Sequence, residues 1–204
     1  MKEKYIEDLE QIKDIMNRST RFISLSGISG ISAGIVGLGG AYVAYHTFLK
    51  DQNYLVLNTV ELSGNSLMYL LFIAAVVLIL AAGSAIYFTT RKTKMRNESV
   101  WNDQAKRLLI NLSIPLVTGG VLCLLLLFKG FAGWVAPLTL IFYGLALVNA
   151  SKYTLHEIRS LGIIEILLGL IAIHFTEYSI LLWAFGFGVL HIVYGIIIQR
   201  NYKS

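Results

Sequence analysis

Charge is what this sequence has least of: Asp, Glu, Lys and Arg make up 14% of its 204 residues, where a soluble domain carries about a quarter. The shortage is concentrated in long runs with no charge at all, and 56% of the chain is hydrophobic. One domain of an integral membrane protein is therefore expected. Cysteine is nearly absent. Cys123 stands alone within LVTGGVLCLLLLF, which excludes an internal disulfide framework and a cysteine metal cluster. Pro115 lies in the first two turns of its expected helix, where proline costs least. No Ser-His-Asp, HExxH or CxxC arrangement exists, so neither an enzyme nor a bound cofactor is expected. The first twenty residues hold Glu3, Glu7, Asp8, Glu10 and Asp14, unlike the basic opening of a secretory signal.

What the chain does have is glycine in helical register. From Ser26 to Phe48, Gly27, Gly30, Gly34, Gly37, Ala41 and Ala44 recur at spacings of three and four. At 3.6 residues per turn they form one strip almost bare of side chains, with Ile28, Ile31, Ile35, Leu38, Tyr42 and Tyr45 off it. In water such a helix would be weak. In lipid the backbone has no other hydrogen-bond partner, and a bare strip lets a neighbouring helix come close. GISGISAG echoes a phosphate-binding loop but lacks the Lys and a preceding strand.

Six membrane helices in three hairpins follow from the hydropathy, at about residues 22–48, 67–89, 108–128, 135–150, 161–175 and 180–198. They make an all-α transmembrane domain over 21–204. Residues 1–20 stand before it as a cytoplasmic segment. Within that segment Tyr5, Leu9, Ile12 and Met16 give an amphipathic helix whose polar face mixes acids and bases. A surface-bound helix would be mostly basic; residues 2–17 are therefore expected to pack on protein: a second copy, a cytoplasmic partner, or the inner loops of their own bundle. YLVLNTVEL, between the first two spans, could form a short strand or an interfacial segment.

Lys and Arg fall unevenly on the two sides of this layout: fifteen lie in the N-terminal segment, residues 90–107, residues 151–160 and the tail, against Lys50 and Lys129 opposite. Both termini are thus expected in the cytoplasm of a bacterial inner membrane. The sequence pI of 9.3 reflects this topology, and no nucleic-acid partner is expected. Tyr143-Gly144 matches Tyr194-Gly195, and Gly120 matches Gly169, which suggests a duplicated hairpin.

Ionisable groups inside a span are costly and mark candidate sites. Glu165 is the one carboxylate within a span, and His191 lies at similar depth in the next helix. With Asn111, Asn149, Tyr143 and Tyr194 they would form a polar pocket in the inner third, or a Glu-His or Glu-Tyr hydrogen bond that only fixes helix register. A proton-coupled carrier using Glu165 and His191 is the alternative to a module that binds a partner or a membrane-soluble ligand. His46 and His174, near the outer face, are the weaker candidates for haem or metal, with no recognisable ligand spacing.

The run RSTRFISLSG, Arg18 to Gly27, after an acidic amphipathic helix, resembles the opening of a family of six-span membrane proteins from Bacteroidota bacteria. The resemblance covers residues 5–45 and implies a bacterial cytoplasmic membrane without an activity, cofactor or substrate. In outline only, the three-hairpin layout is similar to acid-resistance membrane proteins of the HdeD type.

Overall fold

The computed structural model describes residues 25–49, 64–95, 97 and 99–202, and every regular element among them is helical. Helix α1, Gly27–Ala44, ends in a π turn, Tyr45–Leu49. Helices α2 (Gly64–Met95), α3 (Asp103–Phe128), α4 (Val135–Ala150) and α5 (Glu157–His174) follow. Helix α6 is composite: Ser179–Ala184, a π-helical stretch Phe185–Leu190, then His191–Asn201. The expected amphipathic helix of residues 2–17 and the segment YLVLNTVEL lie outside the described residues.

Two helices overrun their hydrophobic cores on the side that holds the basic loop. α2 continues past Thr89 to Met95 because nothing in RKTKM breaks a helix. Asn97, at φ 55°, takes the left-handed conformation that asparagine tolerates. α3 begins at Asp103, five residues before its apolar run. The Asn102 side chain caps it, accepting from the Ala105 N–H at 2.8 Å, and Asp103 suits the positive end of the helix dipole.

Among the described residues five helices are long and apolar enough to cross a membrane: Gly27–Thr47, Gly64–Met95, Asp103–Phe128, Ala132–Tyr153 and Thr176–Asn201. The protein is a multi-pass helical membrane protein on that basis. α5 stands apart because its 18 residues include Glu157, Arg159 and Glu165.

Packing runs α2 on α1, α1 on α6, α6 on α5 and α4, α5 on α4, and α4 on α3. The closest approaches are at glycines. A β-carbon added to Gly34 would stand 2.6 Å from the Gly188 carbonyl oxygen, and one on Gly37 2.7 Å from that of Phe187. One on Gly30 would meet the Gly195 Cα at 3.1 Å. The strip of α1 thus lies directly on the backbone of α6, while Ile28, Ile35 and Tyr42 face outward. A second face of α1 receives α2, with Val77 against Gly40 and the Ser32 hydroxyl donating to Ser84 at 3.0 Å. Between α4 and α5 the same device recurs, Gly144 lying on the Gly162 carbonyl and Gly169 on that of Pro137.

Candidate functional site

The α4–α5 and α6–α1 seams hold α5 and α6 so that the one acid of the α5 interior meets the one imidazole of α6. Glu165 has no exposed surface and His191 is buried. His191 Nδ1 lies 3.5 Å from Glu165 Oε1 and 2.9 Å from the Gly186 carbonyl oxygen. A carbonyl only accepts, so Nδ1 carries the proton. In the neutral ring Nε2 then accepts from the Tyr143 hydroxyl at 2.7 Å. Tyr143, His191 and Gly186 are therefore satisfied.

Glu165 is not. Neither of its carboxyl oxygens has a hydrogen-bond partner among the described residues, in a setting where an unpaired polar group is costly. It is also tightly enclosed. A β-carbon on Gly186 would collide with Glu165 Oε2, and would lie 2.8 Å from Leu140 Cδ2. Gly186 is a glycine because the carboxyl occupies the volume its side chain would need. The π-helical stretch that contains it opens directly into His191, and single π turns inside helices recur at functional sites.

Toward the Ser179 end of α6 the site is aromatic. His191 stacks on Phe187 at 5.8 Å, Tyr143 lies 4.8 Å from Phe187, and Trp183 lies 4.7 Å beyond. The Trp183 indole N–H donates to the Thr139 hydroxyl at 3.1 Å. Toward the Asn201 end of α6, Leu161 and Ile198 belong to a buried apolar cluster that borders Tyr143 and Tyr194. Below it Glu157, also buried, accepts from Asn201 at 3.4 Å and from the Tyr202 hydroxyl at 3.3 Å. The eight steps along α5 from Glu157 to Glu165 span about 12 Å of helix axis. Two surface grooves, one along α2 from Gly83 to Met95 and one between α1 and α6 beside Tyr42 and Leu181, include neither residue of the pair.

The other expected members of the pocket are placed differently. Asn149 donates to the Asn111 carbonyl at 2.9 Å, and the Asn111 side chain donates to the Arg107 carbonyl at 2.8 Å. These two link α4 to α3. Tyr194 packs on the apolar cluster. One pocket of six polar residues is thus replaced by a Glu165–His191–Tyr143 cluster and a separate asparagine link. The reason is rotational: Tyr143 and Asn149 are six residues apart on α4, which turns them to different neighbours. His46 lies tilted against Tyr42 at 4.4 Å, and His174 lies edge-on to Phe175 at 4.6 Å. Among the described residues no group of three or more His, Cys, Asp or Glu could hold a metal ion. Gly186, Gly188, Phe187 and Trp183 were not singled out by sequence. The trace they leave is FGFG just before His191, with Trp183, Phe187 and His191 at i, i+4, i+8.

Compared with protein-family models, with curated proteins and with solved structures, the chain matches none.

Proposed function

We propose that this chain is a non-enzymatic membrane module that binds a proton at the Glu165–His191 pair and converts its gain or loss into a change of packing between α5 and α6. One observation carries this reading: a carboxyl with zero exposure and no hydrogen-bond partner for either oxygen, 3.5 Å from an imidazole. A change of one charge at such a site shifts the local electrostatic energy strongly because the surroundings cannot screen it. The titratable groups facing Glu165 are His191 from α6 and Tyr143 from α4, so all three adjust together. The π turn is where the change would be felt, since Gly186 lies directly against the Glu165 carboxyl.

The layout that goes with this function has six spans in three hairpins, α5 included, with both termini in the cytoplasm of a bacterial inner membrane. The charge asymmetry of the loops and the RSTRFISLSG opening support that layout. On this reading residues 2–17 pass the change to a second copy or a cytoplasmic protein. A carrier would need a polar route outward from His191, and Phe187 and Trp183 fill that direction. The module reading is therefore preferred to transport.

Trp183 reports directly on the cluster through its stack on Phe187. With Trp101 and Trp134 changed to Phe and the protein in lipid vesicles, Trp183 emission should shift with pH in the wild-type site. In Glu165→Gln, which keeps shape but not titration, the shift should vanish. An identical pH response in Glu165→Gln would remove Glu165 from the function.

A further inference from the structure

The two nitrogens of the His191 ring have different neighbours, and each neighbour dictates a role. Nδ1 lies 2.9 Å from the Gly186 carbonyl oxygen and 3.5 Å from Glu165 Oε1. Both oxygens can take the same N–H, so an ionised Glu165 finds a donor without any proton being added to the ring. On the far side Nε2 accepts the proton of the Tyr143 hydroxyl at 2.7 Å. Phe187 lies against both partners, 4.8 Å from Tyr143 and 5.8 Å from His191, and holds the two rings together.

An imidazolium carries hydrogen on both nitrogens. Its Nε2–H would point at the Tyr143 oxygen, and the hydroxyl would have to turn its own proton away. Among the described residues Tyr143 has no second hydrogen-bond partner to receive that proton. The residue is half-buried, and any part of it that faces lipid meets hydrocarbon, which accepts no hydrogen bond. Charging the ring would therefore strand a polar hydrogen where that is costly.

Building on the proton reading of this site, we propose that Tyr143 is a positioning residue that keeps His191 neutral, so that the bound proton resides on Glu165 and the cluster alternates between no charge and one negative charge. When the proton leaves for solvent, the O–H bond of the carboxyl breaks and its electron pair stays on Glu165. The Nδ1–H then turns from the Gly186 carbonyl to the charged oxygen, because a hydrogen bond to an ionised acceptor is the stronger one. Gly186 gives up that partner inside the π-helical stretch, which ties the charge of Glu165 to the backbone of α6. No other titratable group faces the carboxyl among the described residues. α1 packs on this stretch with Leu38 against Gly188, and its one titratable residue, Tyr42, lines the groove beside Leu181. On α5 itself Glu157 is about two turns away and is held by Asn201 and Tyr202.

His46, His156 and His174 are exposed, and changing them to Gln leaves His191 as the sole histidine of the full chain. With that protein in lipid vesicles, nitrogen NMR of the isotope-labelled ring is followed through a pH step beside the carboxyl infrared band. One protonated and one bare ring nitrogen are expected throughout, including the range where the Glu165 band changes. In Tyr143→Phe, which keeps the ring on Phe187 but removes the donor, a doubly protonated imidazole should appear at the acid end. A ring that stays singly protonated in Tyr143→Phe overturns the proposal. So does a ring that charges in the unsubstituted site while the carboxyl band responds, and there the proton reading survives. A carboxyl band that ignores pH while the ring stays singly protonated removes the proton from Glu165, and the proposal falls together with the reading beneath it.

Discussion

Gly34→Leu is expected to leave little folded protein to purify. The first added carbon would stand 2.6 Å from the Gly188 carbonyl oxygen and 3.0 Å from the Ile192 nitrogen. Both are backbone atoms of the facing helix, so no side chain can rotate out of the way, and α6 would have to move as a body. Overpacking usually costs about 1–3 kcal/mol, and a clash with opposing backbone belongs at or above the top of that range. Because Gly30 and Gly37 sit on the same α6 backbone, the whole seam opens with it. Gly39→Ala is the matching control on the same helix, since a β-carbon there meets nothing within 4 Å. Its thermal midpoint in detergent should stay level or rise slightly, as helix propensity favours Ala by about 0.5–1 kcal/mol. Equal stability of the two variants would show that the strip is not packed on α6.

The second large effect is a coupling. Gly186→Ala places a methyl group where Glu165 Oε2 and Leu140 Cδ2 now sit, and should destabilise the bundle by about 2–3 kcal/mol. Glu165→Ala removes both the obstructing carboxyl and an unpaired buried polar group. It leaves a cavity, so its own effect is a balance of two opposing contributions. In the double variant the new methyl group fills part of that cavity. The cost of Gly186→Ala should therefore fall by at least about 1 kcal/mol in the Glu165→Ala background, a coupling of the size that contacting residues show. Denaturation of all four proteins in one detergent measures it. Additive effects would mean that the carboxyl does not fill the space beside Gly186.

Much of the fold could be read from periodicity, because lipid forces the helical choice and leaves only the ends open. The fourth span, residues 135–150, coincides with Val135–Ala150. The others missed by a few residues, mostly where polar turns such as DQAKR and RKTKM continue a helix beyond the hydrocarbon, where hydropathy has nothing to mark. The strip on α1 was legible since spacings of three and four define a face. Its partner was not, because nothing in one helix names the helix it will meet; α6 offers Gly188 and Gly195 within an ordinary apolar run. For the site, Glu165 and His191 stood out as charges in a span, and Tyr143 by depth. The π turn at Phe185–Leu190 changes which residues of α6 point inward, and straight helical counting has no means of anticipating it. Asn111 and Asn149 shared the depth of the cluster but not its azimuth, and depth alone cannot separate the two.

The most direct measurement is infrared difference spectroscopy of the protein in lipid through a pH step, following carboxyl C=O bands. The expected result is one band from an enclosed carboxyl that changes with pH, is lost in Glu165→Gln, and persists in Glu157→Gln. A spectrum that Glu165→Gln leaves unaltered would contradict proton binding at Glu165, and with it the link between that buried acid and the packing of α5 on α6.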